Sequence, residues 1–422
     1  MKAYINNQVH PFKANETILE FVRRIESEKI PTMCQDDRLE NFGSCRVCSV
    51  EIARKKNGST KVVASCHTPV TEGLYIYPQT EKVKRLRKNI VELILTDYPN
   101  DKIFPDKDKK ATPFQESIAE IGIPNVRYPK GETHQYLQKD DSHPYIKSDL
   151  AQCIHCFRCV RACEEIQGEM VLNMSGRGFA SHIIKGFDTD FDLSACVSCG
   201  ACVQTCPTEA LTDKFESKTL LADEVIQTTC TYCGVGCQLE VSKINGEIKG
   251  IQAPVTAQVN QGHTCLKGRF AFQFYNHPDR LKEPLIKRNG VFEPVSWEEA
   301  YGFITEKLLS IKQKYGADAI GGISSSRATN EENYLMQKMM RVAIETNNID
   351  GCARVCHAPT AFGMQKSFGT GAATNSIKDL DKTDCIFLFG ANPTEAHPVT
   401  GAKIKQLFMQ GITSIVVDPV ET

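Results

Sequence analysis

The chain has no excess of either charge. Its 50 Lys and Arg nearly cancel its 51 Asp and Glu, leaving a net charge of −1. That balance gives no basic surface for nucleic acid, and no acidic tail is present. Long apolar runs are missing too. Cys385–Phe389 and Ile415–Val417 are strand-sized, far short of the roughly 20 residues that cross a bilayer. Met1-Lys-Ala-Tyr-Ile5 carries neither an apolar signal core nor a twin-arginine pair. These absences predict a cytoplasmic chain with no nucleic-acid partner and no direct membrane insertion. What the chain has instead is cysteine, nineteen residues in 422. Disulfide scaffolds are short and secreted, whereas clustered thiols in a reducing compartment read as metal ligands.

The length predicts two to four domains, and the pattern along it predicts a multidomain chain of α+β and α/β parts. Residues 1–80 read as a small α+β unit, with β-type stretches at Ala3–Ile5 and Val62–Ala64 and a helix carrying Ile18, Val22 and Ile25 on one face. Residues 81–145 read as a helical and linker segment. Val83, Leu86, Ile90 and Leu93 have helical spacing, and a polar, aperiodic stretch follows from Tyr98. Residues 146–215 are dense in cysteine and repeat internally, and 222–278 hold one more cysteine group. From 279 to 422 the composition is that of an α/β domain. Ser296-Trp-Glu-Glu299 reads as a capping box before a stripe of Ala300, Ile304, Leu308 and Ile311. Strand Cys385–Phe389, a helix near 395–410 and strand Ile412–Val417 form a βαβ unit. A parallel sheet that stops there predicts an incomplete α/β domain.

Sixteen cysteines fall into four groups. Cys34, Cys45, Cys48 and Cys66 supply four thiolates, the number a [2Fe–2S] centre needs; a structural zinc site is the other use of such a set. Gly43, beside the Cys45–Cys48 pair, lets the backbone come close. Cys153-x2-Cys156-x2-Cys159-x3-Cys163 and Cys196-x2-Cys199-x2-Cys202-x3-Cys206-Pro207 match the run of two-cluster ferredoxins. There the fourth cysteine of each run serves the other cluster. One cluster thus takes Cys153, Cys156, Cys159 and Cys206, and the other Cys196, Cys199, Cys202 and Cys163. His155 lies inside the first run as a flanking residue. The last group is Cys230-x2-Cys233-x3-Cys237-x27-Cys265, again open to a cluster or to zinc, and Leu266-Lys267-Gly268-Arg269 follows it. Lys267, two residues past a ligand, reads as a group beside that cluster rather than a solvated surface lysine.

Taken together, a [2Fe–2S] ferredoxin-like domain, a two-cluster ferredoxin domain and a [4Fe–4S] domain leading into an incomplete α/β molybdopterin domain resemble the catalytic α subunit of molybdenum- or tungsten-dependent formate dehydrogenase, soluble NAD-linked type. The likeness spans the chain and rests most on Cys352-Ala-Arg354-Val-Cys356-His357-Ala-Pro359. It implies that Cys356 is the protein ligand to Mo or W and His357 the neighbouring acid/base or orienting group. It implies that Lys267 carries electrons from a bis-molybdopterin guanine dinucleotide to the cluster of Cys230, Cys233, Cys237 and Cys265. Without it, Cys356 reads as a buried inert thiol and His357 as a satisfied core histidine. The turn Gly390-Ala-Asn392-Pro393-Thr-Glu395, at the end of a parallel strand, implies Gly390, Asn392 and Glu395 as pterin contacts. Asp418 is a further contact, though the family's Asp-Pro-Arg stands here as Asp418-Pro419-Val420. Gly369-Thr-Gly371 reads as a loop rather than a dinucleotide site.

The family commonly carries one more [4Fe–4S] cluster on a histidine and three cysteines. The matching positions here are Tyr98, Lys102, Pro105 and Ala111, which implies that this cluster is absent. The cofactors implied are one [2Fe–2S], three [4Fe–4S] and the Mo or W pterin centre. The partners implied are formate and CO2 and a flavin/NAD diaphorase-type subunit or other electron acceptor. Two rival readings are a non-catalytic electron-transfer module and another molybdopterin oxidoreductase such as a nitrate reductase, which Cys356-His357 disfavours.

Overall fold

In the computed structural model, residues 1–107, 109–131, 139–215 and 221–421 are described. They divide into one unit of Met1–Phe272 with Thr383–Thr422 and a second of Gln273–Lys382. The first unit begins with β1 (Lys2–Ile5), β2 (Gln8–Pro11) and α1 (Ile18–Ile25), followed by β3 (Ser49–Ala53), β4 (Lys61–Ala64) and β5 (Tyr75–Tyr77). The sheet order is β2-β1-β5-β3-β4, with β1 parallel to β5 and the other pairs antiparallel. At the start of α1, the Thr17 hydroxyl accepts from the Glu20 amide (3.3 Å) and the Glu20 carboxylate accepts from the Thr17 amide (2.8 Å), satisfying two orphan donors. Ile18, Leu19, Phe21 and Val22 then pack on Ala3, Ile5, Val50 and Ile76, in a core that also holds Cys48 and Cys66.

The next helix, α2 (Glu81–Leu95), forms where the periodicity predicts, but its buried face is rotated. Val83, Arg87, Val91 and Leu95 point inward, while Leu93 is 55% exposed. Buried polar anchors cause the rotation. Arg87 donates to the carbonyls of Ser49 (2.7 Å) and Pro78 (2.9 Å), and Glu92 accepts from Arg127 Nε at 2.8 Å. The stretch after Tyr98 contains a helix that the aperiodic reading missed, α3 (Pro113–Ile121). Its signals were local. Thr112 and Gln115 form a capping box around a proline in the first turn, and Gly122 closes the helix at φ 73°.

Tyr98 lies in the core beside α2 and α3, with Met33, Val47, Val91, Leu95, Phe114 and Ile118. Its ring meets Phe114 edge to face at 5.1 Å, and burial pushes its phenol above the ordinary value. The cavity touching Tyr98, Lys102 and Pro105 is about 30 Å³, room for a water or two.

The cysteine-dense region follows with β6 (Ile146–Ser148), α4 (Arg158–Arg161), β7 (Leu172–Ser175), β8 (His182–Lys185), α5 (Ala201–Thr205) and β9 (Leu211–Asp213). β6 pairs with β9 and β7 with β8, both antiparallel. An antiparallel meander of β10 (Glu224–Thr229), β11 (Gln238–Ile244) and β12 (Glu247–Gln252) leads to α6 (Leu266–Phe270).

The second unit runs from α7 (Gln273–Asn276) through the hairpin β13 (Leu285–Arg288) and β14 (Val291–Pro294), α8 (Trp297–Tyr315), β15 (Gly322–Ser324), α9 (Asn330–Lys338), β16 (Ile349–Gly351), α10 (Ala353–Cys356) and α11 (Ala358–Phe368). β15 and β16 are parallel. Only half of the expected capping box forms on α8. Ser296 accepts from the Glu299 amide at 3.2 Å, but the Glu299 carboxylate pairs with Arg288 instead. Of the expected stripe, Ala300 is buried and Leu308 packs near Ile320, Met340 and Ile344, whereas Ile304 remains half exposed.

Back in the first unit, β17 (Cys385–Phe389), α12 (Pro393–Ala396), α13 (Pro398–Met409) and β18 (Thr413–Val417) form the expected βαβ arrangement, with the strands parallel. α13 is tied to the cysteine-dense region. Gln406 Nε2 donates to Glu164 O (2.6 Å), and Lys405 pairs with Glu169. Among the described residues no helix is long and apolar enough to cross a membrane.

Tyr98→Ala should cost about 3–5 kcal/mol of stability, as a buried aromatic truncation does, and Tyr98→Phe less than about 1.5 kcal/mol. Urea midpoints measure both. Iron per chain should be unchanged in either variant.

Candidate metal centres and cofactor pocket

The first cysteine group forms two pairs. Cys48 and Cys66 lie Sγ to Sγ at 3.4 Å, and Cys34 is hydrogen-bonded to Cys45. Within each pair that bond favours one thiolate: Cys34 and Cys48 are held below the ordinary thiol value, and Cys45 and Cys66 are pushed above it. Two irons that each need two thiolates fit two pairs. Gly43 turns the chain at φ 70°, where a side chain would press on His67 Cβ at 3.3 Å.

The two ferredoxin-type runs fold alike. His155 and Ser198 occupy the same position of the repeat, both with positive φ (50° and 56°). Each turns its amide onto the sulfur two residues earlier, at 3.4 Å from Cys153 and Cys196 respectively. His155 thus contributes its backbone to the sulfur, as a flanking residue would. The thiols of the two runs face one another. Cys153, Cys156, Cys206 and Cys202 act electrostatically on Cys159, and Cys199, Cys196, Cys163 and Cys206 act on Cys202. Burial pushes the thiols up, to about 11 for Cys156 and Cys196 and about 12 for Cys199. Buried thiolates become tolerable when a cation shares their charge, so this donor set fits iron–sulfur clusters.

In the fourth group, Cys230 donates its amide to Cys237 O (2.8 Å), Cys233 and Cys265 act electrostatically on Cys230, and all three act on Cys237. Burial pushes Cys237 up to about 12. Among the described residues no three His, Cys, Asp or Glu side chains close on a point suited to one metal ion.

Cys265 caps α6 and opens onto a pocket of about 620 Å³. Cys199, Cys265 and the exposed Lys267 line one part of it, and Leu388, Asn392 and Glu395 another. Gln167, Glu169 and Lys405 also face it. They were invisible to motif reading, because nothing in their spacing relates them to the cysteines. Asn392 Oδ1 caps α12, accepting from the Thr394 hydroxyl (2.5 Å) and the Glu395 amide (3.4 Å). Gly390, at φ 58°, donates its amide to Val417 O (2.8 Å), and Asp418 accepts from the Val420 amide (3.0 Å). The pocket lining includes neither Gly390 nor Asp418.

Cys356 and His357 belong to the second unit. They follow the carboxyl end of β16, the end of parallel strands where such sheets bind ligands. Both are exposed, so neither the buried thiol nor the core histidine is what the fold contains. Cys352, half-buried, accepts from the Ser326 amide (3.2 Å) and lies 3.2 Å from the Ser326 hydroxyl; these bonds hold it below the ordinary thiol value. Arg354 is paired with Asp350 at 2.6 Å. Gly369 ends α11 at φ 76°, and the Gly369–Gly371 stretch is a loop, as read.

Four family models match the chain in series. They are a 2Fe-2S iron-sulfur cluster binding domain (1–81), the ferredoxin-like domain of NADH-quinone oxidoreductase subunit 3 (143–212), a molybdopterin oxidoreductase Fe4S4 domain (223–277) and molybdopterin oxidoreductase (280–422). Proteins of Staphylococcus aureus strains RF122 / ET3-1, MSSA476 and MW2, provisionally named formate dehydrogenase, are 32% identical over 92% of this chain. The match covers 43% of each, so the chain spans less than half the length of these curated relatives. Among solved structures, an NAD+-reducing [NiFe]-hydrogenase in the H2-reduced state is 25% identical with a TM-score of 0.45, over 53% of this chain and 91% of that one. Acetylene hydratase from Pelobacter acetylenicus is 22% identical with a TM-score of 0.39, over 46% and 27%.

The crossed ligation expected from the two runs has a direct test. Cys206→Ala should abolish the cluster of Cys153, Cys156 and Cys159, and Cys163→Ala that of Cys196, Cys199 and Cys202, each change removing about four irons per chain. Iron analysis with electron paramagnetic resonance reads both; loss of the cluster in the same run as the mutation would reverse the assignment.

Proposed function

We propose that this chain, a molybdopterin and iron–sulfur oxidoreductase subunit of formate-dehydrogenase type in its domain make-up, is the electron-carrying and metal-ligating part of an enzyme that oxidises formate to CO2. In this reading Cys34, Cys45, Cys48 and Cys66 hold one [2Fe–2S] centre, and the other three groups hold three [4Fe–4S] clusters. Cys356 supplies the protein ligand of a Mo or W bis-molybdopterin guanine dinucleotide. Gly390, Asn392, Glu395 and Asp418 contact its pterin and nucleotide parts. Held by Cys356, such a centre would supply the two-electron oxidation of formate to CO2 with release of a proton, and clusters held by the four cysteine groups would supply one-electron carriers.

The observation that carries the reading is Cys356-His357, exposed together after a parallel strand. Cys356 is free to ligate, and His357 can take a proton on a ring nitrogen or donate a hydrogen bond to a carboxylate oxygen. Lys267 brings an ammonium into the pocket beside Cys265, where it can bind an anionic cofactor and bridge toward the cluster. The acceptor is a separate flavin/NAD-binding subunit, with the first cysteine group facing it.

In the holoenzyme, Cys356→Ser should lower formate-dependent dye reduction by about a thousandfold or more, the scale on which a group at the reacting centre acts. Visible cluster absorbance should be unaltered. Retained activity would contradict the ligand role, and a parent enzyme inert to formate but competent in dye-to-dye electron transfer would favour the non-catalytic module.

A further inference from the structure

Arg269 is buried, 3% exposed, and joins two cysteine groups. It lies on α6, and its amide donates to the carbonyl of Cys265, the last thiol of the fourth group (3.1 Å). Its side chain reaches the third group. Nε donates to Cys199 O (3.3 Å) and to the Thr264 hydroxyl (3.1 Å), Nη1 donates to Ile251 O (3.3 Å), and Nη2 bonds Gln204 Oε1. All these acceptors are neutral. Its charge acts favourably on the thiols of Cys199 and Cys202, with Asp213 and the cation Arg38 also within reach.

The internal repeat shows that room has been made for it. Gly200 has φ 70°, and its counterpart in the first run is Phe157 at φ 62°. The turn therefore tolerates a side chain. What Gly200 cannot tolerate is Arg269, since a Cβ there would lie 2.1 Å from Arg269 Cδ. The glycine is required by Arg269, and to a lesser degree by the Phe270 ring at 3.0 Å, rather than by the loop.

A buried cation beside an anionic cluster favours the state with one more electron, and a low-dielectric surrounding strengthens the effect. We propose that Arg269 is a positioning residue that raises the reduction potential of the cluster held by Cys163, Cys196, Cys199 and Cys202, and ties that cluster to the group ending in Cys265. The proposal rests on the ligand reading above. Electrons arriving through the fourth group then meet an acceptor biased toward reduction.

The test is an anaerobic redox titration of the intact chain followed by electron paramagnetic resonance, with the cluster's signal identified by its loss in Cys163→Ala. In Arg269→Gln the reduced-to-oxidised ratio at fixed potential should fall about tenfold, which is 59 mV for one electron. Arg269→Lys, which keeps the charge, should stay within about twofold. Gln204→Glu keeps the arginine and sets an anion against it, so it should shift the potential in the same direction. An unshifted midpoint in Gln204→Glu with iron retained, or an equal shift in every cluster, would overturn the proposal. A parent chain lacking the signal altogether would overturn the ligand reading with it.

Discussion

A buried thiolate is costly unless a cation shares its charge, and much of the first unit is organised around that cost. Cys48 and Cys66 belong to the core under the N-terminal sheet, and Cys159, Cys202 and Cys206 belong to the core of the ferredoxin-type region. Burial there drives the thiols toward the neutral form, whereas iron favours the charged one. On the proposed reading the clusters are part of these cores, and metal binding and folding are one process.

Buried polar contacts join the segments that carry the thiols. Asp36, next but one to Cys34, pairs with Arg38 (2.7 Å) and Arg158 (2.8 Å) and accepts from Thr205 (2.6 Å), which adjoins Cys206. Burial alone would raise its carboxyl, but Arg38, Thr205 and Arg158 bring it well below the usual carboxylate range. Arg161 donates to Cys34 O (2.9 Å) and stacks over Phe42. His263 meets Gln167 across 3.0 Å, and Arg269 spans Cys265 and Cys199. Breaking a buried charged contact is costly, so relative movement of the cysteine groups is opposed at several points. Electron transfer between neighbouring centres needs such fixed spacing.

The sequence was most informative where chemistry is local. Cysteine spacing grouped the thiols, and the two repeated runs predict the crossing of Cys163 and Cys206. Within residues 1–95, β1, β4, α1 and α2 were legible from short-period apolar patterns, whereas β2, β3 and β5 were not. The rotation of α2 was not, since it depends on Arg87 and Glu92 finding partners more than 30 residues away. α3 escaped because its signal lies in its caps rather than in a long apolar stripe. Gln167, Glu169 and Lys405 at the pocket, and the reach of Arg269, are products of tertiary packing that no spacing encodes. Tyr98 stands between the two cases. Its departure from the ligand pattern was visible, while the aromatic core around it needed coordinates.

On the proposed reading, sixteen thiols hold one two-iron and three four-iron clusters, with no fifth cluster near Tyr98. Mössbauer spectroscopy of the chain assembled with ⁵⁷Fe, together with iron, zinc and sulfide analysis, measures it most directly. About fourteen irons per chain are expected, roughly one seventh of them in a two-iron centre, and no zinc. About eighteen irons would put a cluster where the aromatic core stands, and zinc in place of iron in the first or fourth group would contradict the electron-carrying role of that group.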